Sequence, residues 1–412
     1  KPVSKAEVSR RNTDLGHAAY SIVKEANGRN AFALLVEGNE ALGARLRLIE
    51  AATETLNLQY FLMKPDLGGA LISDALLSAA DRGVRIRFLL DDVFTTMPDK
   101  GLSLLDAHPN IELRIFNPAV RPGPKALGFL TDFKRVNRRM HNKSFTADAA
   151  FSIIGGRNIA DEYFQINTST EFADFEMLVI GPAVRKIGKA FDLYWNDGWA
   201  VPIHQLRKPV SGAELENART ELRGRLAPAQ ITYENAVNDP YILRLGAGLE
   251  ETYFGSADVI SDAPSKLKVP LADGERTLAE ALLRRMKTAQ HDVILLTPYF
   301  VPEDYGAQLF ADLAARGVRV RIVTNSLEST NHAYVHAGYR RHRLPLLQAG
   351  VELYEVRADS LRVLGLVPAD DNTGVTMHTK LAVIDGSEVF FGSLNLDPRS
   401  LCLLDTSGPA AQ

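Results

Sequence analysis

The sequence holds one cysteine, Cys402, in 412 residues. That excludes an internal disulfide and any cysteine-rich metal cluster. It also lacks any run near the roughly 18 apolar residues that a membrane-spanning helix needs. Charge of neither sign dominates. With 47 Lys and Arg against 50 Asp and Glu, the formal net charge is −3, which argues against a surface coated for nucleic acid. No Gly-x-Ser-x-Gly elbow, P-loop or dinucleotide fingerprint occurs, and no low-complexity tract. The remainder, 46% hydrophobic and 24% charged, is that of an ordinary globular protein long enough for two domains. The first residue is Lys1 rather than Met, which is compatible with a signal or anchor ahead of this numbering.

Hydrophobic periodicity orders the elements. Residues 1–30 are polar and read as an irregular or helical lead-in. A helical period over Asn39–Ala52 precedes a strand over 55–61, a helix over 69–81, a strand over 84–90 and another over 111–116. The downstream half repeats the order, with strands at 291–300 and 317–322 around a helix at 306–316. A β-α-β succession predicts an α/β fold with mostly parallel sheets. Residues 206–250 are richer in Pro, Glu, Arg and Asn and are expected to connect an N-terminal domain, 1–205, to a C-terminal one, 251–412.

One stretch recurs. His141, Lys143, Asp148, Gly155, Gly156 and Asn158 are repeated as His378, Lys380, Asp385, Gly392, Ser393 and Asn395, every pair at the same offset. Tyr60-Phe61 matches Tyr299-Phe300, and Gly83 matches Gly317, at nearly that offset again. Agreement of these offsets points to a duplicated α/β unit.

Each copy reads as a hairpin with its His and Lys on one face of a strand. Asp148, or Asp385 with Gly386, then opens the turn. The return strand ends in small residues that admit a ligand to the backbone, followed by an amide donor. Two such copies suit a phosphodiester. Lys143, Lys380, Asn158 and Asn395, with Gly156 and Ser393, would hold its non-bridging oxygens. One imidazole attacks phosphorus while the other serves as acid and then base. The lysines supply the positive charge, so no metal or other cofactor is called for.

Both stretches match the H-x-K-x4-D-x6-G-[GS]-x-N signature of the phospholipase D superfamily, and the chain resembles that family over roughly residues 30–400. Leu90-Asp-Asp92, 132–141, Gly155–Ile159, His336–Tyr339 and Asn395–Ser400 resemble its bacterial cardiolipin synthase branch. The resemblance implies two pseudo-twofold α/β domains with the active site at their seam. It implies phosphatidyl transfer through a phosphohistidine, with His141 as nucleophile and His378 as acid. Asp174 matches the carboxylate that would orient His141. The expected partners are anionic phospholipids, phosphatidylglycerol and as a second candidate phosphatidylethanolamine, met peripherally at a bacterial inner membrane. The family continues after Ser400 with Leu-Asn-Thr-Glu. Here the chain reads Leu401–Gln412, so no glutamate matches the one expected to orient His378, and Asp405 is an offset candidate. Two rivals remain at this point: a hydrolase of phosphodiesters using water, or a weakly active lipid-binding relative.

Other signals are thinner. His332 and His336 have a helical metal-pair spacing, but nothing nearby completes a ligand set. Basic residues at 134–143 and 340–343 read either as solvated loops or as recruiters of anionic headgroups. Ala126–Leu130 reads as core or as a segment dipping into a bilayer.

Overall fold

The structure, a computed structural model, describes residues 4–5, 12–119, 132–166, 168–250, 252–269, 277–398, 404–405 and 407–411. Contacts divide the chain into two units. The first comprises Lys1–Ile154, Asn158–Ile166 and Glu176–Ser256; the second comprises Gly155–Arg157, Asn167–Phe175 and Ala257–Gln412.

In the first unit β1 (Asn30–Leu35), β2 (Thr55–Tyr60), β3 (Arg85–Asp91) and β4 (Ile111–Phe116) lie in one nine-stranded sheet. The trio β2-β3-β4 runs parallel, as crossover helices require, and lies one strand in from the sheet edge. The short β5 (Arg139–Met140) precedes the hairpin of β6 (Ser144–Ala147) and β7 (Phe151–Gly155). β6 adds to β2 antiparallel, so the first histidine motif is welded to the centre of the sheet. After β8 (Thr170–Ala173), which groups with the second unit, β9 (Glu176–Ile180), β10 (Ala200–Pro202) and β11 (Tyr253–Gly255) complete the order β10-β4-β3-β2-β6-β7-β9-β1-β11.

The helix Gly38–Ala51 starts in a capping box between Glu37 and Glu40 and turns Ala41, Leu42, Leu46 and Ile49 onto the sheet. One charge is built into this core. Arg45 donates to both carboxylate oxygens of Glu176, at 2.8 and 2.7 Å, and to Tyr60 at 3.0 Å, so its burial leaves no unpaired charge. Residues 206–250, expected as a connector, form the helices Gly212–Leu226, Gln230–Val237 and Pro240–Gly246. Their Leu215, Ala236, Val237 and Ile242 join the first unit's core.

In the second unit β12 (Ala257–Ser261), β13 (Asp292–Leu296), β14 (Arg319–Asn325) and β15 (Glu352–Val356) are followed by β16 (Gly374–Met377), β17 (Leu381–Ile384) and β18 (Glu388–Phe391). The short β19 (Leu404–Asp405) and β20 (Ser407–Ala411) come last. A seven-stranded sheet runs β12-β20-β18-β17-β13-β14-β15. Its β13-β14-β15 part is parallel and buries Val293, Leu295, Val320 and Ile322. Beside it β8 pairs in parallel with β16, from Thr170 opposite Gly374 to Ala173 opposite Met377. A strand from the first repeat thereby lies against the entry to the second histidine motif.

Candidate active site

Neither His-x-Lys pair sits inside a strand. Residues 141–143 fall between β5 and β6, and 378–380 between β16 and β17. The flanking strands hold both ends of each break, and at the second one backbone bonds continue from the His378 N–H to the Ala173 carbonyl and from the Gly392 N–H to the Lys380 carbonyl. His141 is buried with its ring 4.7 Å from that of Phe61, edge on. His378 is equally buried but stacks on Phe172 at 5.5 Å. Phe300, the repeat counterpart of Phe61, packs instead in the core against Phe310 and Tyr339. The two half-sites are built on one plan with different walls.

Both lysines fold back identically. Lys143 Nζ donates to the His141 carbonyl at 2.7 Å, and Lys380 Nζ to that of His378. Burial pushes the Lys380 ammonium down to about 8, with the carboxylates of Asp174 and Asp397 opposing the shift.

Asp174 is where the structure departs most from the expectation, which assigns it to His141. Its Oδ2 lies 2.6 Å from Nδ1 of His378, 204 residues along the chain, and its Oδ1 accepts from the Phe175 N–H at 2.8 Å. The cause is the β8–β16 pairing. β8 ends at Ala173, so the next residue is delivered beside His378, whose own N–H donates to the Ala173 carbonyl at 2.7 Å. His378 therefore has a carboxylate partner, supplied by the first repeat. The side chain of Asp405 lies outside the described residues. Burial alone would raise the Asp174 pKa. The His378 ring, Lys380 and Arg157 outweigh it and hold the group well below the usual carboxylate range.

Gly156 is also reassigned. The space that its side chain would fill is taken by the Asp174 carboxylate, so a Cβ there would overlap it. Its small size admits Asp174 rather than a ligand phosphate. The neighbouring Arg157, fully buried, donates to the Asp174 carbonyl at 2.8 Å. Asn158 is likewise engaged by the protein, donating to Tyr163 Oη at 2.9 Å and accepting from the Leu62 N–H at 3.3 Å. Asn395 differs: its buried Oδ1 makes no hydrogen bond. Ser393 is fully buried.

Asp148 and Asp385, expected as catalytic, occupy the far ends of their hairpins. Both adopt left-handed backbone, φ 47° and 51°, which Asp tolerates in a turn. Asp148 accepts from the N–H groups of Thr53, Glu54 and Thr55 at 2.8–3.0 Å. Asp385 does the same for Gln290, His291 and Asp292, and these backbone donors lower its pKa. Each carboxylate pins the hairpin to the start of the adjoining strand. Extended chain on the order of 20 Å long separates each from its histidine.

Two positioning residues escape a reading of the sequence. Asp91, the last residue of β3, accepts from the Met140 N–H at 2.9 Å and pairs with Arg139 at 3.2 Å, both side chains fully buried. Burial, helped by Asp92 and opposed by Arg139, pushes Asp91 up to about 6. At the equivalent place in the second unit Asn325 accepts from the Met377 N–H at 2.9 Å and donates to its carbonyl at 2.8 Å. Asp91 stands to Asn325 as Gly83 stands to Gly317, and Arg139 to Thr376 as His141 to His378, so both pairs keep the offsets of the duplication. Each brace fixes the residue just ahead of its histidine, through a buried ion-paired aspartate in one copy and a neutral amide in the other, where Thr376 donates to the Ser329 carbonyl at 2.7 Å. Within the basic run at 134–143, Arg139 and Lys143 are interior, and Arg135 is tied to Asp132 and Asn117. Residues 126–130 lie outside the described residues.

Paired His-x-Lys breaks, braced from the sheet and carrying a buried carboxylate–imidazole contact, define a phospholipase D-type enzyme. The profile of the family described as cardiolipin synthase, PLD-like domain, matches residues 46–189 and 282–406, and the chain belongs to that family. It is accordingly a phosphatidyltransferase of the phospholipase D superfamily. Cardiolipin synthase C of Escherichia coli (strain K12) is 37% identical over 397 residues, covering 94% of this chain and 83% of the relative. An uncharacterized protein of Helicobacter pylori (strain ATCC 700392 / 26695) is 32% identical over 406 residues, 97% of this chain and 80% of that one. Among solved structures, phosphatidylserine synthase from Haemophilus influenzae Rd KW20 shares the fold. It aligns with TM-score 0.63 at 15% identity, covering 96% of this chain and 86% of the other. Among the described residues no helix is long and apolar enough to cross a membrane.

Proposed function

We propose that this enzyme makes cardiolipin from phosphatidylglycerol and a second phospholipid, by moving a phosphatidyl group onto the free headgroup hydroxyl of phosphatidylglycerol at a membrane surface. The reading is carried by one observation above the rest: the chain is 37% identical, over 94% of its length, to a protein named cardiolipin synthase C, and both His-Lys sets are intact. In this proposal both half-sites act on one phosphodiester. The His141 imidazole attacks phosphorus, forming a P–N bond as the P–O bond to the donor's headgroup alcohol breaks. His378, protonated, gives its proton to that departing oxygen. It then takes a proton from the acceptor hydroxyl, whose oxygen attacks phosphorus and displaces His141.

The assignment of roles draws on the His378–Asp174 contact. A buried carboxylate held anionic beside Nδ1 stabilises the imidazolium and leaves Nε2 as the nitrogen that exchanges protons. That suits the acid–base role given to His378, while His141 takes the nucleophile's role from the family resemblance. Lys143 and Lys380 would hold the negative oxygens in place of a metal. The test is product identification by mass spectrometry after incubation with phosphatidylglycerol, alone and with phosphatidylethanolamine. Cardiolipin is expected; phosphatidic acid would make the enzyme a hydrolase, and no product would make it a lipid-binding relative.

A further inference from the structure

The second unit carries an apolar projection that the reaction does not use. The short helix Ser360–Val363 ends in a Schellman-type cap, with Gly365 in left-handed conformation at φ 68°. The Gly365 N–H donates to the Arg362 carbonyl at 3.1 Å and the Leu366 N–H to that of Leu361 at 2.8 Å. The tip is thus a hydrogen-bonded structure. Yet its side chains face outward: Val363 is 57% exposed, Leu364 70% and Leu366 67%. Large apolar groups gathered on so few residues are not needed to close a core, and such a patch marks an interaction surface.

Charge says what kind. From Val363 to Ala369 the tip carries none, and at its base Asp359 pairs with Arg357 at 2.9 Å and with Arg362 at 3.5 Å. The base is closed by the Val375 N–H donating to the Ala358 carbonyl at 2.8 Å, and β16 runs from there to Met377, next to His378. As sequence, the first repeat has the same pattern: Ala126-Leu-Gly-Phe-Leu130 stands to Val363-Leu-Gly-Leu-Val367 at the offset of the two histidines. Each copy therefore places an uncharged Leu-Gly segment at the same distance ahead of its histidine.

We propose that the Val363–Val367 tip is a membrane-surface anchor that inserts among the acyl chains of a phospholipid bilayer and holds the His378 half-site at the lipid surface. The choice of a bilayer as occupant rests on the phospholipid substrate proposed above. An uncharged tip gains by apolar burial, so its contribution should resist salt.

The test compares the wild type with Leu364→Asp/Leu366→Asp by co-sedimentation with phosphatidylglycerol vesicles. The double variant should bind about tenfold or more weakly, a difference that persists at about 0.5 M NaCl. Its turnover of a short-chain, monomeric phosphatidylglycerol should stay within about twofold of wild type. Equal vesicle binding would overturn the proposal. So would an equal loss of turnover on monomeric substrate, or a wild-type dimer that the variant dissolves without losing vesicles. His378→Asn is the control, losing turnover while keeping vesicle binding. Tip-dependent vesicle binding by a wild type that forms no phosphatidyl product would support the anchor and refute the catalytic reading.

Discussion

Replacing Asp174 by Asn keeps the shape of the side chain and removes its charge. The carboxylate is buried, accepts from the Phe175 N–H, and contacts His378 Nδ1 at 2.6 Å. Asn can still accept from Phe175, so the fold of β8 and its neighbours should persist. What disappears is a charge-assisted hydrogen bond in a dry setting, a loss of about 1.5–3 kcal/mol. If that interaction strengthens as His378 gains its proton, the loss falls on the transition state. At about 1.4 kcal/mol per tenfold, kcat/KM drops about 10- to 150-fold. Gly156→Ala attacks the same contact from the other side, since its Cβ and the Asp174 carboxylate cannot share the space. It should reproduce the catalytic defect with Asp174 chemically intact. The assay is initial-rate formation of cardiolipin from phosphatidylglycerol vesicles, with thermal unfolding measured alongside. An Asp174→Asn enzyme within about threefold of wild type, equally stable, would refute the reasoning.

Further expectations concern Lys380, the motif aspartates and the Asp91 brace. Because burial holds Lys380 near 8, raising the pH past that value removes a charge from the phosphate site, and kcat/KM should fall through an alkaline limb near pH 8. Lys380→Arg stays charged, so its rate, though lower, should lack that limb; an unchanged profile would assign the limb elsewhere. Asp148→Ala leaves the Thr53, Glu54 and Thr55 N–H groups without their acceptor and should cost about 2–4 kcal/mol in denaturant unfolding. The folded fraction should turn over nearly normally, and the more exposed Asp385→Ala should cost less. Asp91→Asn strands the buried Arg139 charge, at about 3–5 kcal/mol of stability. Adding Arg139→Thr, which removes the stranded charge and leaves the residue types found at the matching positions Asn325 and Thr376, should recover about 2 kcal/mol in the same unfolding measurement.

Local pattern explains why some of this is legible in sequence. The Gly38–Ala51 helix and the Thr55–Tyr60 and Ile111–Phe116 strands follow from apolar spacing and a cap within a few residues. The duplication is legible because its offsets agree. The partner of Asp174 is not, because it depends on a strand pairing between distant parts of the chain, for which Phe172-Ala-Asp carries no local mark. Arg139 reads as surface charge beside Arg138, and only Asp91, 48 residues earlier, tells it to be interior. A signal for that pair is nonetheless present: Asp91 and Arg139 become Asn325 and Thr376 in the other copy, a joint loss of opposite charges. The aspartates of the two motifs are misjudged for a related reason. Spacing shows that they recur but not that each faces the backbone at the far end of its hairpin.

The central claim is that His141 carries the phosphatidyl group between donor and acceptor. The direct measurement is peptide mass spectrometry on the wild-type protein, quenched in denaturant during turnover of phosphatidylglycerol and digested under alkaline conditions that preserve phosphoramidates. The account predicts a phosphatidyl adduct on His141, absent from His141→Ala. Full cardiolipin synthesis by His141→Ala, or an adduct on any other residue, would contradict it.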